Sequence, residues 1–128
     1  MPSPIGHLLA GAAITLAADQ RHQLSRRWRN VALIGAALAA APDLDLLLPG
    51  AHRTITHSFF AVGVVCLGSL AWTYRTGRIA PLLALAWTLS YASHLLTDYF
   101  GADYGTPAGL QLFWPWGFEY YKSDWSLF

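Results

Sequence analysis

Five histidines and six aspartates carry most of the chemical potential of this sequence, and seven of these side chains stand where apolar stretches begin or end. His94 and Asp98 are spaced i, i+4, which on a helix places both on one face and lets them chelate one ion, with Tyr91 and Trp87 extending that face. Read alone, the pair could equally be a histidine hydrogen-bonded to its neighbour on the next turn. Asp43 and Asp45 follow Pro42, and on a regular helix they point about 200° apart, so both face one site only if the helix loosens after the proline. Asp45 is ranked as the ligand and Asp43 as the spare carboxylate for proton transfer. A plainer reading has both simply ending a helix near water, with Asp43 capping the turn. The run His52, Arg53, Thr54, Ile55, Thr56, His57, Ser58 combines a ligand, an anion holder and a helix cap. His57 adjoins the following apolar stretch and is grouped with the ligands, as is His7. His52 lies further out and is grouped with Arg53, whose planar fork suits phosphate or carboxylate oxygens. Arg53 could instead anchor a lipid headgroup or pair with Asp43.

A mixed imidazole and carboxylate set suits a divalent ion, zinc first, with manganese or iron as alternatives. The expected ligands are His7, Asp45, His57, His94 and Asp98, and the expected catalytic residues are Asp43, His52 and Arg53. That set could serve one ion, or bridge two, with some members orienting the others. The single Cys66 lies in an apolar run with no partner for a disulfide and reads as a core residue.

The elements that must position these groups are apolar helices. At 128 residues the chain suffices for one domain, taken as residues 1–128. Hydrophobic residues make up 55% and charged residues 12%, about half the charged share of a soluble domain, so water is not expected to be the only solvent. Four apolar stretches, 5–19, 30–48, 57–75 and 79–99, read as helices, followed by a tail over 100–128. Within the last two, 58–74 and 79–97 are uncharged over roughly the 18 to 20 residues a bilayer core requires, whereas the first is short and the second is interrupted by Asp43 and Asp45. Gly6, Gly11, Gly35, Ala36, Ala39 and Ala40 make the first two helices suited to close packing. The opening stretch lacks the basic flank of a signal peptide and is taken as retained. A soluble all-α bundle with a crowded core is the alternative.

Loop charge orients the threading. The first connection carries Arg21, Arg26, Arg27 and Arg29 and the third carries Arg75 and Arg78, against Arg53 and Lys122 on the other side. By the positive-inside tendency both Arg-bearing loops are cytoplasmic, giving an up-down-up-down transmembrane bundle. All the candidate ligands then lie at the extracytoplasmic end, and only His22 falls elsewhere, as a solvated loop residue. From Tyr99 onward eleven of thirty residues are aromatic, which suits the membrane interface, and this tail could be a lid over the site or an anchor only. The six tryptophans and long apolar runs argue against a nucleic-acid partner.

Five elements in order, Pro4-Ile5-Gly6-His7, Pro42-Asp43-Leu44-Asp45, His52 to Ser58, Ser93 to Asp98 and Leu112-Phe113-Trp114-Pro115, resemble the YdjM-like, LexA-binding, inner-membrane-associated family described as metal-dependent hydrolases. Thr97-Asp98 and Phe113-Trp114 stand where many relatives have Leu-Asp and Leu-Trp, and the segment after Gly117 has no counterpart in those motifs. The resemblance implies a bacterial inner-membrane protein with His and Asp metal ligands. Its hydrolase label rests mainly on likeness to metal enzymes. Together these readings lead to the expectation of a multi-pass, metal-dependent hydrolase of a phosphoester or lipid-like substrate, in which the ion lowers the pKa of water, an Asp accepts the proton and Arg53 steadies the developing charge. The alternative is a non-catalytic membrane protein that binds or transports the ion.

Overall fold

The computed structural model describes residues 3–18, 28–48, 52–75, 80–102 and 107–127. Four α-helices, α1 (Pro4–Ala18), α2 (Trp28–Ala40), α3 (Phe59–Arg75) and α4 (Ala80–Tyr99), account for most of these residues, and no strand is present among them. The expected helix bounds are met to within two residues at every end except that of α2. There the helix continues beyond Ala40 as a 3-10 segment, Ala41–Leu47, with Pro42 buried in its first turn. Proline is tolerated at that position, where its missing N–H would have no intrahelical partner. A 3-10 turn, Ile55–His57, leads into α3, which Ser58 caps by accepting the Ala61 N–H at 3.2 Å. The connections 19–27, 49–51 and 76–79, and with them His22, Arg21, Arg26, Arg27 and Arg78, lie outside the described residues.

His7 near the start of α1, Asp43 just past α2, His57 just before α3 and His94 near the end of α4 come together, so successive helices alternate in direction. The packing is nevertheless not a square bundle. Helix α4 is the hub, in contact with α1, α2 and α3, while α3 packs chiefly on α4. Small residues decide the closest approach. Gly11 and Gly35 press the backbones of α1 and α2 together so tightly that a Cβ on either would collide with the other's carbonyl oxygen. Beside them Ser90 donates to the Gly11 carbonyl at 3.1 Å and approaches Thr15 Oγ1 at 3.2 Å, which ties α4 to α1.

Polarity is distributed inside out. His7, Thr15, His57, Ser58, Thr73, Ser90, His94 and Asp98 are buried, whereas Leu9, Leu33, Leu47, Leu67, Leu85 and Leu96 are exposed. Among the described residues one helical segment, Arg29–Leu47, is long and apolar enough to cross a membrane by length and composition. That corrects the expectation that the third and fourth stretches are the clearest spans. The α2 rod runs through Pro42 without a break, whereas α3 is 17 residues long and α4 carries Ser90, Ser93, His94, Thr97 and Asp98.

The tail folds back on the ligand-bearing end rather than trailing away. Leu110 and Tyr121 form an isolated antiparallel bridge, the Leu112 carbonyl accepts the Phe59 N–H at 2.9 Å, and the Tyr99 carbonyl accepts the Ser123 N–H at 3.0 Å. Its outer face carries exposed Trp116, Phe118 and Trp125, and Glu119, Lys122 and Asp124 are exposed as expected. Cys66 is a half-buried free thiol.

Candidate metal centre

Four side chains from three separate parts of the chain offer donor atoms that lie within 4.8 Å of one another: Asp43, His57, His94 and Asp98. The two imidazoles face each other, Nε2 to Nε2, at 3.1 Å. Asp98 Oδ2 lies 3.4 Å from His94 Nε2 and 3.6 Å from His57 Nε2, and Asp43 Oδ1 lies 3.5 Å from His94 Nε2. Tetrahedral ligands about 2.05 Å from zinc stand about 3.3 Å apart, so these spacings are those of ligands around an ion.

Hydrogen bonds on the far side of each ring fix which nitrogen is free. His94 Nδ1 lies 2.7 Å from the Ala39 carbonyl oxygen, which can only accept, so Nδ1 carries the proton. His57 Nδ1 donates to Asp45 Oδ2 at 3.0 Å. His7 Nδ1 is 3.1 Å from Thr97 Oγ1, and that hydroxyl already gives its own hydrogen to the Ser93 or His94 carbonyl, each at 2.9 Å, so it accepts from His7. In its neutral form each ring therefore turns a bare Nε2 lone pair inward, the arrangement that backing hydrogen bonds impose on ligating histidines. What they face is a carboxylate whose two oxygens are both buried without a hydrogen-bond partner, those of Asp98. With the rings neutral this enclosure presents acceptors alone, and a proton on His57 or a metal ion would supply the positive charge that it favours.

Asp43 and Asp45 divide the work differently from the expectation. The chain after Pro42 tightens into a 3-10 turn instead of loosening, and at three residues per turn positions two apart still point about 120° apart. Asp43 reaches the imidazole cluster directly. Asp45 sits one layer out, where it accepts hydrogen bonds from the Arg53 N–H (2.9 Å), Thr56 Oγ1 (2.6 Å) and His57 Nδ1, and meets His52 Nδ1 at 2.7 Å. Asp45 thus orients His57, and His52, half-exposed at the edge, stands behind Asp45. His7 joins from α1, stacked on His94 with ring centroids 3.9 Å apart and Nε2 3.4 Å from Asp98 Oδ1.

Arg53 is buried and holds a positive φ of 64°, a costly backbone for a residue with a Cβ. Its main chain is a link. The N–H donates to Asp45, and the carbonyl accepts from the Gln111 N–H of the tail at 3.0 Å. Tyr91, expected to extend the ligand face, donates to the Thr56 carbonyl at 2.6 Å and so braces the same turn. Ala39 and Thr97 were not anticipated as orienting groups. A backbone carbonyl leaves no signature in sequence, whereas Thr97 is detectable as a hydroxyl three residues after His94 and beside Asp98.

His57, in the turn before α3, shows how strongly this surrounding favours positive charge. Burial works against its imidazolium, yet the hydrogen bond to Asp45 and the nearby negative charges of Asp45 and Asp98 outweigh burial and raise its pKa above the ordinary histidine value.

The YdjM inner membrane protein family matches the whole chain, residues 1–128. The chain belongs to this family. No curated protein and no solved structure matches it. The family match extends through the aromatic segment after Gly117, which the short motifs left without a counterpart, and an inner-membrane protein family is consistent with the exposed leucines. Asp43 and Asp98 bring two carboxylates to the two imidazoles, a set of four side chains that could hold one divalent ion within a buried site. The donor set fits such an ion. It holds nitrogen and oxygen donors, and Cys66 lies on α3 away from the cluster.

Proposed function

We propose that this chain is a multi-pass inner-membrane hydrolase whose divalent ion, zinc in the first instance, is held at the extracytoplasmic end of the bundle and acts on a phosphoester of lipid-like character. The observation that carries the reading is the convergence of His57, His94, Asp43 and Asp98, whose candidate ligand atoms lie within 4.8 Å of one another around the unpartnered Asp98 carboxylate. The transmembrane arrangement draws support from the inside-out polarity, since leucines on the outside and hydroxyls and imidazoles on the inside suit hydrocarbon as solvent. Loop arginines favour the orientation with the site outside. A divalent ion bound here supplies Lewis acidity, lowering the pKa of water and polarising an ester oxygen.

The residues supply the rest. His57 and His94, locked through Nδ1 by Asp45 and the Ala39 carbonyl, would hold the ion with Asp98 and with Oδ1 of Asp43, whose other oxygen is left for proton transfer. The side chain of Asp43 is 18% exposed against 2% or less for the side chains of the other three, so it is the group reachable from solvent and the one to take a proton from water. Arg53, buried beside Asp45, is assigned to the substrate's anionic oxygens. The tail closes this end of the bundle through Gln111 and Leu112 and serves as its wall.

The near-complete burial of His57, His94 and Asp98 favours a second reading, in which the ion is structural and staples the helix ends. Turnover of phosphoester and phospholipid substrates by zinc-loaded protein in detergent, set beside His94→Ala, separates the two. Turnover by the wild type and none by the folded variant supports hydrolysis. Zinc-dependent folding with no turnover of either substrate class makes the ion structural.

A further inference from the structure

We propose that Asp98 bridges two metal positions, the second held by His7 Nε2 and Asp98 Oδ1 on the α1 side of the cluster. The inference rests on the metal reading above and deepens it. The two oxygens of Asp98 are both buried without a hydrogen-bond partner, and they face different imidazoles. Oδ2 is directed at His94 Nε2, 3.4 Å away, and at His57 Nε2, 3.6 Å away. Oδ1 is directed at His7 Nε2, also at 3.4 Å. A single ion among His57, His94, Asp43 and Asp98 Oδ2 leaves Oδ1 and the His7 lone pair opposed, two acceptors in a buried place with nothing between them.

His7 is built to offer that lone pair. Its Nδ1–H is consumed by Thr97 Oγ1, whose hydroxyl hydrogen is committed to the α4 backbone, so Nε2 is the acceptor nitrogen of the neutral ring. The ring is buried and stacks on His94 at 3.9 Å with an interplanar angle of 28°. Two charged imidazoliums would repel in that stack, so neutral rings that each meet a cation at Nε2 suit it. Two divalent ions carry four positive charges against the two of Asp43 and Asp98 and the one of Asp45, and the surplus gives an anionic phosphoester a reason to bind.

Metal stoichiometry tests the proposal without reference to activity. Full-length protein in detergent is stripped, reloaded with Zn²⁺ or Mn²⁺, separated from free ion and measured for ions per chain, with circular dichroism to confirm folding. The wild type is expected to hold two ions, and His7→Ala one. Thr97→Val, which keeps His7 but frees its tautomer, is expected to weaken the second ion about 10- to 100-fold while leaving the first at its wild-type affinity. With Mn²⁺, the wild type should show the electron paramagnetic resonance of a coupled pair and His7→Ala that of an isolated ion. One ion in both wild type and His7→Ala overturns the bridge and leaves the primary site standing. Two ions in both overturns the role of His7. No ion in folded wild type overturns this inference and the metal reading together.

Discussion

Replacing Asp45 distinguishes a ligand from a residue that orients one. Asp45 is 4% exposed and accepts hydrogen bonds from the Arg53 N–H, Thr56 Oγ1 and His57 Nδ1, with His52 Nδ1 at its other oxygen. In Asp45→Ala the half-exposed His52 can turn to water, and Thr56 Oγ1, 3.0 Å from His57 Nδ1, can take over as that ring's partner. The buried Arg53 N–H loses its carboxylate acceptor, and the His57 bond is weakened. At about 1–3 kcal/mol for each compromised buried donor, the loss is about 2–6 kcal/mol, a large share of the stability of a small domain. Metal affinity should fall about 10- to 100-fold, the usual cost of removing a partner behind a ligating histidine. Asp45→Asn keeps an oxygen for Arg53 and His57 and should lose less of both. Asp43→Asn should show the opposite pattern, little loss of stability in the metal-free protein and a larger loss of metal affinity than Asp45→Asn. Competition with a chromophoric chelator and thermal unfolding in detergent read the two quantities. Equal metal affinity in wild type and folded Asp45→Ala would refute the orienting role, and a greater affinity loss in Asp45→Asn than in Asp43→Asn would make Asp45 the ligand.

Because the pKa of His57 is raised in the folded metal-free protein, a proton competes with the ion, and metal affinity should climb as pH rises and level off above that pKa; affinity independent of pH between 5 and 8 would refute this. The same shift has the opposite sign for the metal-free protein, whose stabilisation by His57 is complete below the ordinary histidine pKa and is lost as pH rises through the raised one, so thermal melts of stripped protein should move down across that window. Gly35→Ala forces a methyl into Thr15 and the Gly11 carbonyl and should cost about 1–3 kcal/mol by thermal unfolding, whereas Gly63→Ala, within α3 where space is open, should cost nothing and gain up to about 1 kcal/mol. Trp116 and Trp125, 80% and 79% exposed on the tail, should be quenched by lipids brominated near the headgroup more than by lipids brominated at the chain end if the tail lies at the interface.

The helices were legible because each reads as an apolar run set off by polar or Gly- and Pro-containing connections, and the closeness of α1 and α2 was legible in Gly11 and Gly35. The i, i+4 spacing of His94 and Asp98 placed both on one face, as the 3.4 Å separation shows. The division between Asp43 and Asp45 was not legible. It depends on α2 tightening into a 3-10 turn after Pro42, and one residue of register decides which carboxylate meets His94 and which backs His57. The central place of α4 was hidden as well, since four runs of similar apolarity do not say which is enclosed by the others. Nor does an aromatic tail reveal that its backbone will bond to Arg53 and Phe59, because those bonds use main-chain atoms that every residue shares.

X-ray absorption at the zinc edge of purified, detergent-solubilised protein tests the metal centre most directly. A divalent ion held by His57, His94, Asp43 and Asp98 requires nitrogen and oxygen neighbours at about 2.0–2.1 Å, the outer-shell pattern of imidazole, and fewer imidazole neighbours per zinc in folded His94→Ala. Folded wild-type protein that takes up no zinc, or zinc coordinated through the sulfur of Cys66, would contradict it.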